Sequence, residues 1–279
     1  MTHGSPWWPS TPLPATWLDT RLQAHHAVQL LAAFAGEFLE PRDDDGHRSL
    51  CWVDEERHLA TGSAERADMP LMVTFDPEAF VLGARHGGGE SAIDLPGRTL
   101  AEARSWLTGE VATVLGVAPD LAPPEYSIPD HPVASGAVFD PDPAAASALA
   151  IWFASAASVL EPFAQGPQAG PLRCWPHHFD LATLLTHHPP TADRGALTIG
   201  VGVSPGDEGS TEPYGYVTPY PYPWDADRPG LPAGGYWHAE GGLGAVLPAS
   251  SWLGPEGPHH VRHFFEDAVD AAGAMLTPP

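Results

Sequence analysis

The sequence contains no lysine. All twelve basic residues are arginine, set against 35 acidic residues, and the formal net charge is −23. Without lysine the chain has no P-loop of the Gly-Lys-Ser/Thr type, no Schiff base and no lysine general base. The arginines form no cluster that could neutralise a row of phosphates. We therefore expect neither nucleic acid nor an anionic membrane surface as a partner.

The sequence also predicts no segment that would direct the chain into or across a membrane. No apolar run reaches the roughly 18–20 residues that a bilayer span needs. Met1–Ser5 has neither the basic start nor the apolar core of a signal peptide. We expect a cytoplasmic protein whose two cysteines, Cys51 and Cys174, are reduced and buried.

Several common catalytic and cofactor motifs are absent. The sequence has no G-x-S-x-G, no H-E-x-x-H and no dinucleotide fingerprint. Gly200-Val201-Gly202-Val203 is typical of a strand with glycines, because it lacks the third glycine and a following helix. No nucleotide or pyridoxal phosphate cofactor is expected.

The 279 residues, 43% of them hydrophobic, can bury a full core. Each half of the chain has the pattern helix, several short strands, helix. The pattern predicts an α+β fold in which short, mainly antiparallel strands form one or two sheets packed by about four main helices. We expect a single domain over residues 1–279, with possible duplicated halves at 14–118 and 140–279. A proline-rich connector, residues 118–143, joins them.

Local signals predict where the helices begin and end. Capping boxes are expected at Thr16 with Asp19 and at Thr99 with Glu102, and Gly116 should end the second helix. The third helix should start at Pro143 and stop before Pro162. The first helix should extend to about Phe38 and the last from about His259 to Leu276. The predicted strands are Ser49–Val53, His58–Gly62, Leu71–Phe75, Ala79–Ala84, Ser91–Leu95, Leu172–Phe179, Ala196–Val203, Tyr214–Thr218, Gly235–Glu240 and Gly244–Leu247.

The stretch Trp175–Asp180 places two histidines beside a carboxylate and two aromatic residues. In a strand, His178 and Asp180 have the H-x-D spacing of a facial metal triad, with His238 as the third ligand. If the chain turns helical at His177, then His177 and Asp180 meet instead. The structural alternative is a buried histidine bonded to a backbone carbonyl, with Asp180 capping a short helix.

Two further groups of residues are candidates for the same site. Glu212 enters a run of tyrosines after a long glycine-rich loop, so it is a candidate ligand or general base, with Tyr214 and Tyr216 shaping a pocket. His25 and Gln29 are one turn apart on a buried helix and are candidates for holding a cofactor. A satisfied core pair is the alternative for His25 and Gln29.

A set of short segments follows a fixed order along the whole chain: Trp8-Pro9, Leu13-Pro14, Trp17, His25, Gln29, Leu59–Gly62, Thr74–Asp76, Leu95, His177, Phe179–Ala182, Glu212-Pro213, Tyr236–Glu240 and Leu247-Pro248. In this order the chain resembles the bacterial domain-of-unknown-function family 5996. The resemblance implies an architecture and a set of positions, not a reaction. It also favours His177 over His178 as the partner of Asp180.

These residues predict a metal-dependent enzyme, either a hydrolase or a non-haem oxygenase, that acts on a small molecule. Zinc, iron or manganese would be held by His177 and His238 with Asp180 or Glu212. The rival hypothesis is a metal-free small-molecule-binding or scaffolding protein. In that case the same histidines and carboxylates form a buried hydrogen-bond network. The sequence leaves the oligomeric state open.

Overall fold

A computed structural model of the protein describes residues 12–66, 69–123, 125–207, 209–252 and 256–277, so Trp8-Pro9 lies outside the described part. Within it, helices and two antiparallel sheets confirm the predicted α+β class. The helices are α1 (Trp17–Phe38), α2 (Leu100–Leu115), α3 (Pro143–Ala164) and α4 (Gly257–Leu276). The strands are β1 (Cys51–Val53), β2 (His58–Ala60), β3 (Ala64–Arg66), β4 (Met69–Asp76), β5 (Val81–His86), β6 (Gly89–Asp94), β7 (Arg173–Trp175), β8 (Asp180–His188), β9 (Leu197–Ser204), β10 (Tyr214–Tyr220), β11 (Tyr236–His238) and β12 (Gly244–Pro248).

The chain divides into two compact units. The first unit consists of Pro12–Ala154 together with Cys174–Phe179. Of the described residues, the second unit takes Ser155–Arg173 and the chain from Asp180 onward. The boundaries differ from the predicted halves, because residues 140–154 and a short return of the chain at 174–179 belong to the first unit.

The first unit is built around α1. This helix is buried on nearly all sides, which fits a sequence with apolar residues on every face. The sheet beside it has the order β1-β2-β4-β5-β6, with β3 also paired to β4, and every pair is antiparallel. Its core includes Phe34, Phe75 and Phe80, all fully buried.

The second unit is an antiparallel sheet in the order β11-β12-β10-β9-β8, covered by α4. Contact between α4 and the sheet depends on Gly215 in β10. A Cβ atom at Gly215 would lie 2.9 Å from the Phe265 ring and 3.1 Å from Trp252. The absent side chain therefore provides the space in which these aromatic residues pack.

The helix ends follow the local signals in part. At α2, Thr99 Oγ1 accepts a hydrogen bond from the Glu102 backbone N–H, Glu102 accepts one from the Thr99 backbone N–H, and Gly116 closes the helix in the left-handed conformation. Thr16 makes no capping bond, so that prediction is wrong. Helix α3 begins at Pro143 behind its cap Asp142, as predicted, but continues through Pro162. Because Pro162 lies in the last turn, it interrupts little of the hydrogen-bond ladder.

Other sequence predictions are corrected by the structure. Strand β7 ends at Trp175 and a turn over residues 176–179 follows, so the predicted strand through Phe179 is wrong. The alternative of a short helix capped by Asp180 is not realised, because this segment forms strand β8. Cys174 is buried, whereas Cys51 is exposed, and both are free thiols.

Helix α3 is, among the described residues, the one helix long and apolar enough to cross a membrane by length and composition. Its most apolar 18-residue window has a mean hydropathy of 1.6, and 67% of that window is buried inside the protein. This corrects the expectation that no apolar run is long enough to span a bilayer. A cytoplasmic location stays a prediction.

The two threonines at the helix starts provide a matched test of capping. We expect Thr99→Ala to lower the free energy of unfolding by about 1 kcal/mol, because the N-cap bond is lost. Thr16→Ala should change the free energy of unfolding by only a few tenths of a kcal/mol, since the Thr16 side chain makes no capping hydrogen bond. Urea denaturation of both variants measures the difference, and equal losses would contradict the assignment.

Candidate functional site

The turn after β7 is the structural core of the site in the first unit. The backbone N–H groups of His178 and Phe179 both donate to the Trp175 carbonyl, at 3.1 and 2.7 Å. Phe179 adopts the left-handed conformation, with a φ of 57°. Its ring is buried and stacks on the His25 ring at a centroid distance of 5.2 Å. This packing holds a backbone conformation that a bulky residue rarely adopts.

Two side chains of α1 hold the Pro176 carbonyl at the centre of this turn. His25 Nε2 lies 2.8 Å and Gln29 Nε2 lies 2.9 Å from the Pro176 oxygen. Because a carbonyl can only accept, the His25 Nε2 atom carries the proton. Gln29 Oε1 accepts a hydrogen bond of 2.8 Å from the Tyr126 hydroxyl, which extends the network into the connector. His25 and Gln29 thus bind the chain itself, as in the core-pair alternative.

The connector follows α1 in the opposite direction, bonded to it at successive turns. Near the C-terminal end of the helix, the Glu37 carboxylate accepts the backbone N–H groups of Asp120 and Leu121. Farther toward the N-terminus of the helix, His26 Nε2 lies 3.0 Å from the Pro129 carbonyl and Gln23 bonds to Asp140. These contacts hold in place a largely irregular segment, which includes a short 3-10 helix at Pro132–Ser135.

Burial keeps His25 and His177 neutral at neutral pH. It lowers the pKa of His25 to about 3, despite the bond to Pro176, with the positive charges of His26 and Arg21 acting in the same direction. It lowers the pKa of His177 to about 4, helped by His178. Burial also raises the pKa of the Tyr126 hydroxyl. All three groups are therefore uncharged donors or acceptors.

A cavity of about 740 Å³ opens between α1, the loop after it, the connector and the turn. Three aromatic rings line it: the His177 ring lies 5.6 Å from Tyr126 and 6.0 Å from Trp175, measured between centroids. The other lining residues are Ala33, Gly36, Glu37, Asp45, Arg48, Asp120, Ala122, Pro123, Glu125 and Pro176.

Arg48 is the functional candidate that the sequence did not reveal. Its half-buried guanidinium lies against Gly36 of α1, where a Cβ atom would come within 2.8 Å of Arg48 Cζ. This guanidinium makes no hydrogen bond or ion pair with any residue in the described part of the chain. The sequence holds one signal for it, a glycine near the end of an otherwise alanine- and leucine-rich helix.

The remaining candidates lie in the second unit. Asp180 is buried at the start of β8 and accepts a hydrogen bond from the Tyr216 hydroxyl. Gly202 in β9 makes this possible, because a Cβ atom there would overlap the Tyr216 ring. Tyr214 donates a hydrogen bond to Asp207 instead. Burial raises the pKa of both tyrosines, with Asp180 adding to the effect on Tyr216 and Asp207 to that on Tyr214.

His238 and His178 are exposed, and Glu212 is half-buried. Glu212 accepts a hydrogen bond from the Ser250 backbone N–H, so its carboxylate fixes the short 3-10 helix at Ala249–Trp252. His238 Nε2 lies 3.0 Å from the Glu240 carbonyl. The His178 ring lies 4.2 Å from that of His177 but is exposed on the turn.

The predicted metal ligands do not form a metal centre in the described residues. Within that part of the chain, no three histidine, cysteine, aspartate or glutamate side chains are arranged so that they could hold one ion. Of the predicted site residues, His25, Gln29, His177 and His178 belong to the first unit. Asp180, Glu212, Tyr214, Tyr216 and His238 belong to the second.

Comparison with family models, with curated proteins and with solved structures finds no match to this chain. The resemblance to domain-of-unknown-function family 5996 stays a prediction.

The depressed pKa of His25 predicts a pH-dependent stability. Its folded pKa, about 3, is below the ordinary value of 6.5, so the unfolded chain binds the proton first. Stability contributed by neutral His25 is fully present above about pH 6.5 and is lost as the pH falls toward 3. Between about pH 7 and 5 the loss from this group is about 2 kcal/mol.

The measurement is urea denaturation of the wild type and of His25→Gln at both pH values. Glutamine can still donate to the Pro176 carbonyl but does not titrate. The variant should therefore lose about 2 kcal/mol less than the wild type over this range. The same loss in both proteins would show that His25 does not carry the effect.

Proposed function

We propose that the first unit binds a small organic molecule through a carboxylate, in the cavity that Arg48 lines. The observation that carries the proposal is that the Arg48 guanidinium lines the cavity without an ionic partner among the described residues. The chain has 35 acidic and twelve basic residues, yet this guanidinium has no ionic partner in the described structure. A guanidinium presents two parallel N–H donors that match the two oxygens of a carboxylate.

The cavity has the size and lining of a small-molecule site. Its volume, about 740 Å³, is within the roughly 300–1,000 Å³ common for such sites. Trp175, Tyr126 and His177 offer apolar ring surface together with a hydroxyl and a neutral imidazole. A ligand with a flat or apolar body next to its carboxylate would bury that body against these rings.

The hydrogen-bond network supports the proposal by fixing the walls in advance. Tyr126 is held by Gln29, and the turn that carries His177 is held through Pro176. Side chains ordered before binding lose little conformational entropy when the ligand arrives. In this proposal His25 and Gln29 support the site from behind and do not contact the ligand.

The metal-dependent enzyme predicted from the sequence is the second proposal, and one observation favours it. His177 is neutral and lines the cavity, as a metal ligand or a general base would. It lacks companions, because no group of potential ligands assembles around it in the described part of the chain. The geometry therefore supports ligand binding better than metal-assisted chemistry.

Replacement of Arg48 tests the proposal directly. We expect 3-phenylpropionate, which joins a carboxylate to one ring, to bind the wild-type protein. Arg48→Gln should weaken this binding by about 10- to 100-fold, because hydrogen bonds to a charged group contribute about 1.5–3 kcal/mol. Ligand-observed NMR titration gives the Kd.

Arg42→Gln is the matched control. Arg42 is in the same loop but is exposed, pairs with Asp44 and does not line the cavity. The Arg42→Gln substitution changes the net charge by the same amount as Arg48→Gln and should leave the Kd of 3-phenylpropionate unaltered. Failure of 3-phenylpropionate to bind the wild type, or equal weakening by both variants, would overturn the proposal.

Gly36 offers a second test, with opposite effects on stability and binding. A methyl group at this position displaces the flexible end of Arg48 rather than backbone. Gly36→Ala should therefore keep or raise the free energy of unfolding, by up to about 1 kcal/mol from helix propensity, while weakening 3-phenylpropionate binding.

Gly109→Ala in α2 is its control, since a methyl group there meets nothing within 4 Å. That variant should gain similar stability, measured by urea denaturation, and bind 3-phenylpropionate normally. Unchanged binding in Gly36→Ala would contradict the role given to Arg48.

A further inference from the structure

We infer that the ligand of this cavity is a zwitterion, with an ammonium group in addition to the carboxylate held by Arg48. The inference rests on the proposed function and names the class of molecule that the site accepts. It comes from the distribution of charge around the cavity. Among the described lining residues, four carboxylates accompany the single guanidinium.

One of these carboxylates is already engaged. Glu37 accepts hydrogen bonds from the backbone N–H groups of Asp120, at 3.1 Å, and of Leu121, at 2.9 Å. It therefore serves to fasten the connector to α1. The negative charge that is free to meet a ligand lies elsewhere on the lining.

The side chains of Asp45, Asp120 and Glu125 make no hydrogen bond or ion pair with any described residue. Asp45 is the most closely associated with the rings, because its charge acts on both Tyr126 and His177. It also begins the turn that carries Arg48, whose backbone N–H donates to the Asp45 carbonyl at 2.9 Å. A negative and a positive side chain thus leave the same short turn and line the same cavity.

This arrangement selects against a simple anion. A ligand with only a carboxylate gains contact with Arg48 but adds negative charge beside three unpaired carboxylates, in a chain whose net charge is −23. An added ammonium group removes that repulsion and gives the carboxylates a partner. Because His177 is neutral, the lining offers one cationic and several anionic groups, which complements an amino acid with an aromatic side chain.

The test compares four probes that share a phenyl ring: 3-phenylpropionate, phenylalanine, N-acetylphenylalanine and phenylethylamine. We expect phenylalanine to bind about 10-fold more tightly than 3-phenylpropionate. N-acetylphenylalanine and phenylethylamine, each lacking one charge, should both be weaker than phenylalanine. Ligand-observed NMR titration again supplies the Kd values.

Asp45→Asn gives a readout that structural damage would not produce. Asparagine tolerates the left-handed conformation of this position, where φ is 53°. The variant should weaken phenylalanine binding by several-fold and leave 3-phenylpropionate binding equal or tighter. The control Asp43→Asn removes an exposed charge from the same loop, outside the cavity lining. It should change the affinity for neither phenylalanine nor 3-phenylpropionate.

The outcomes separate the two proposals. If 3-phenylpropionate does not bind the wild type, the proposed function fails, and the zwitterion inference, which rests on it, fails with it. If 3-phenylpropionate binds through Arg48 but phenylalanine binds no better, or if Asp45→Asn weakens both probes equally, the zwitterion inference alone is overturned. A preference for phenylalanine that Asp45→Asn removes supports it.

Discussion

A buried helix that carries polar side chains sets the main constraint on the first unit. Helix α1 is enclosed on nearly every side, yet it presents Gln23, His25, His26 and Gln29 to its surroundings. Each buried polar group that lacks a hydrogen bond costs free energy. The partners come from segments without regular structure, the connector and the turn at Pro176, which offer free backbone carbonyls. The polar side chains of the helix and the backbone carbonyls of the irregular chain around it therefore provide each other with hydrogen-bond partners.

The fold was predictable where local residues determine local structure. Thr99, Glu102 and Gly116 bound α2 because capping depends on a few neighbouring atoms. The signals failed where tertiary context decides. Thr16 has the residue type of a cap, but its φ of −87° and ψ of 4° are not the extended conformation that aims the hydroxyl at the helix. The chain after Asp180 forms strand β8, where pairing with β9 provides the hydrogen bonds.

The site was predictable only in part. The spacing of His25 and Gln29 indicated a shared direction, and both do meet one carbonyl. The spacing could not predict that their shared partner is the Pro176 carbonyl, because Pro176 lies about 150 residues away in the sequence. Arg48 was missed for the same reason: its environment combines α1, the connector and the turn. Likewise Gly202, which in the sequence only suggested a strand, provides room for the ring of Tyr216.

The contact between Gly36 and Arg48 has a consequence for how the sequence can change over time. A larger residue at position 36 occupies the place of the guanidinium, and once the guanidinium is displaced nothing on the helix favours arginine at position 48. The two positions should therefore vary together: lineages that keep the arginine keep the glycine, and lineages that lose one are free to lose the other. Joint retention or joint loss of these two residues, which are only twelve positions apart, would indicate whether the cavity of a related chain still binds a ligand.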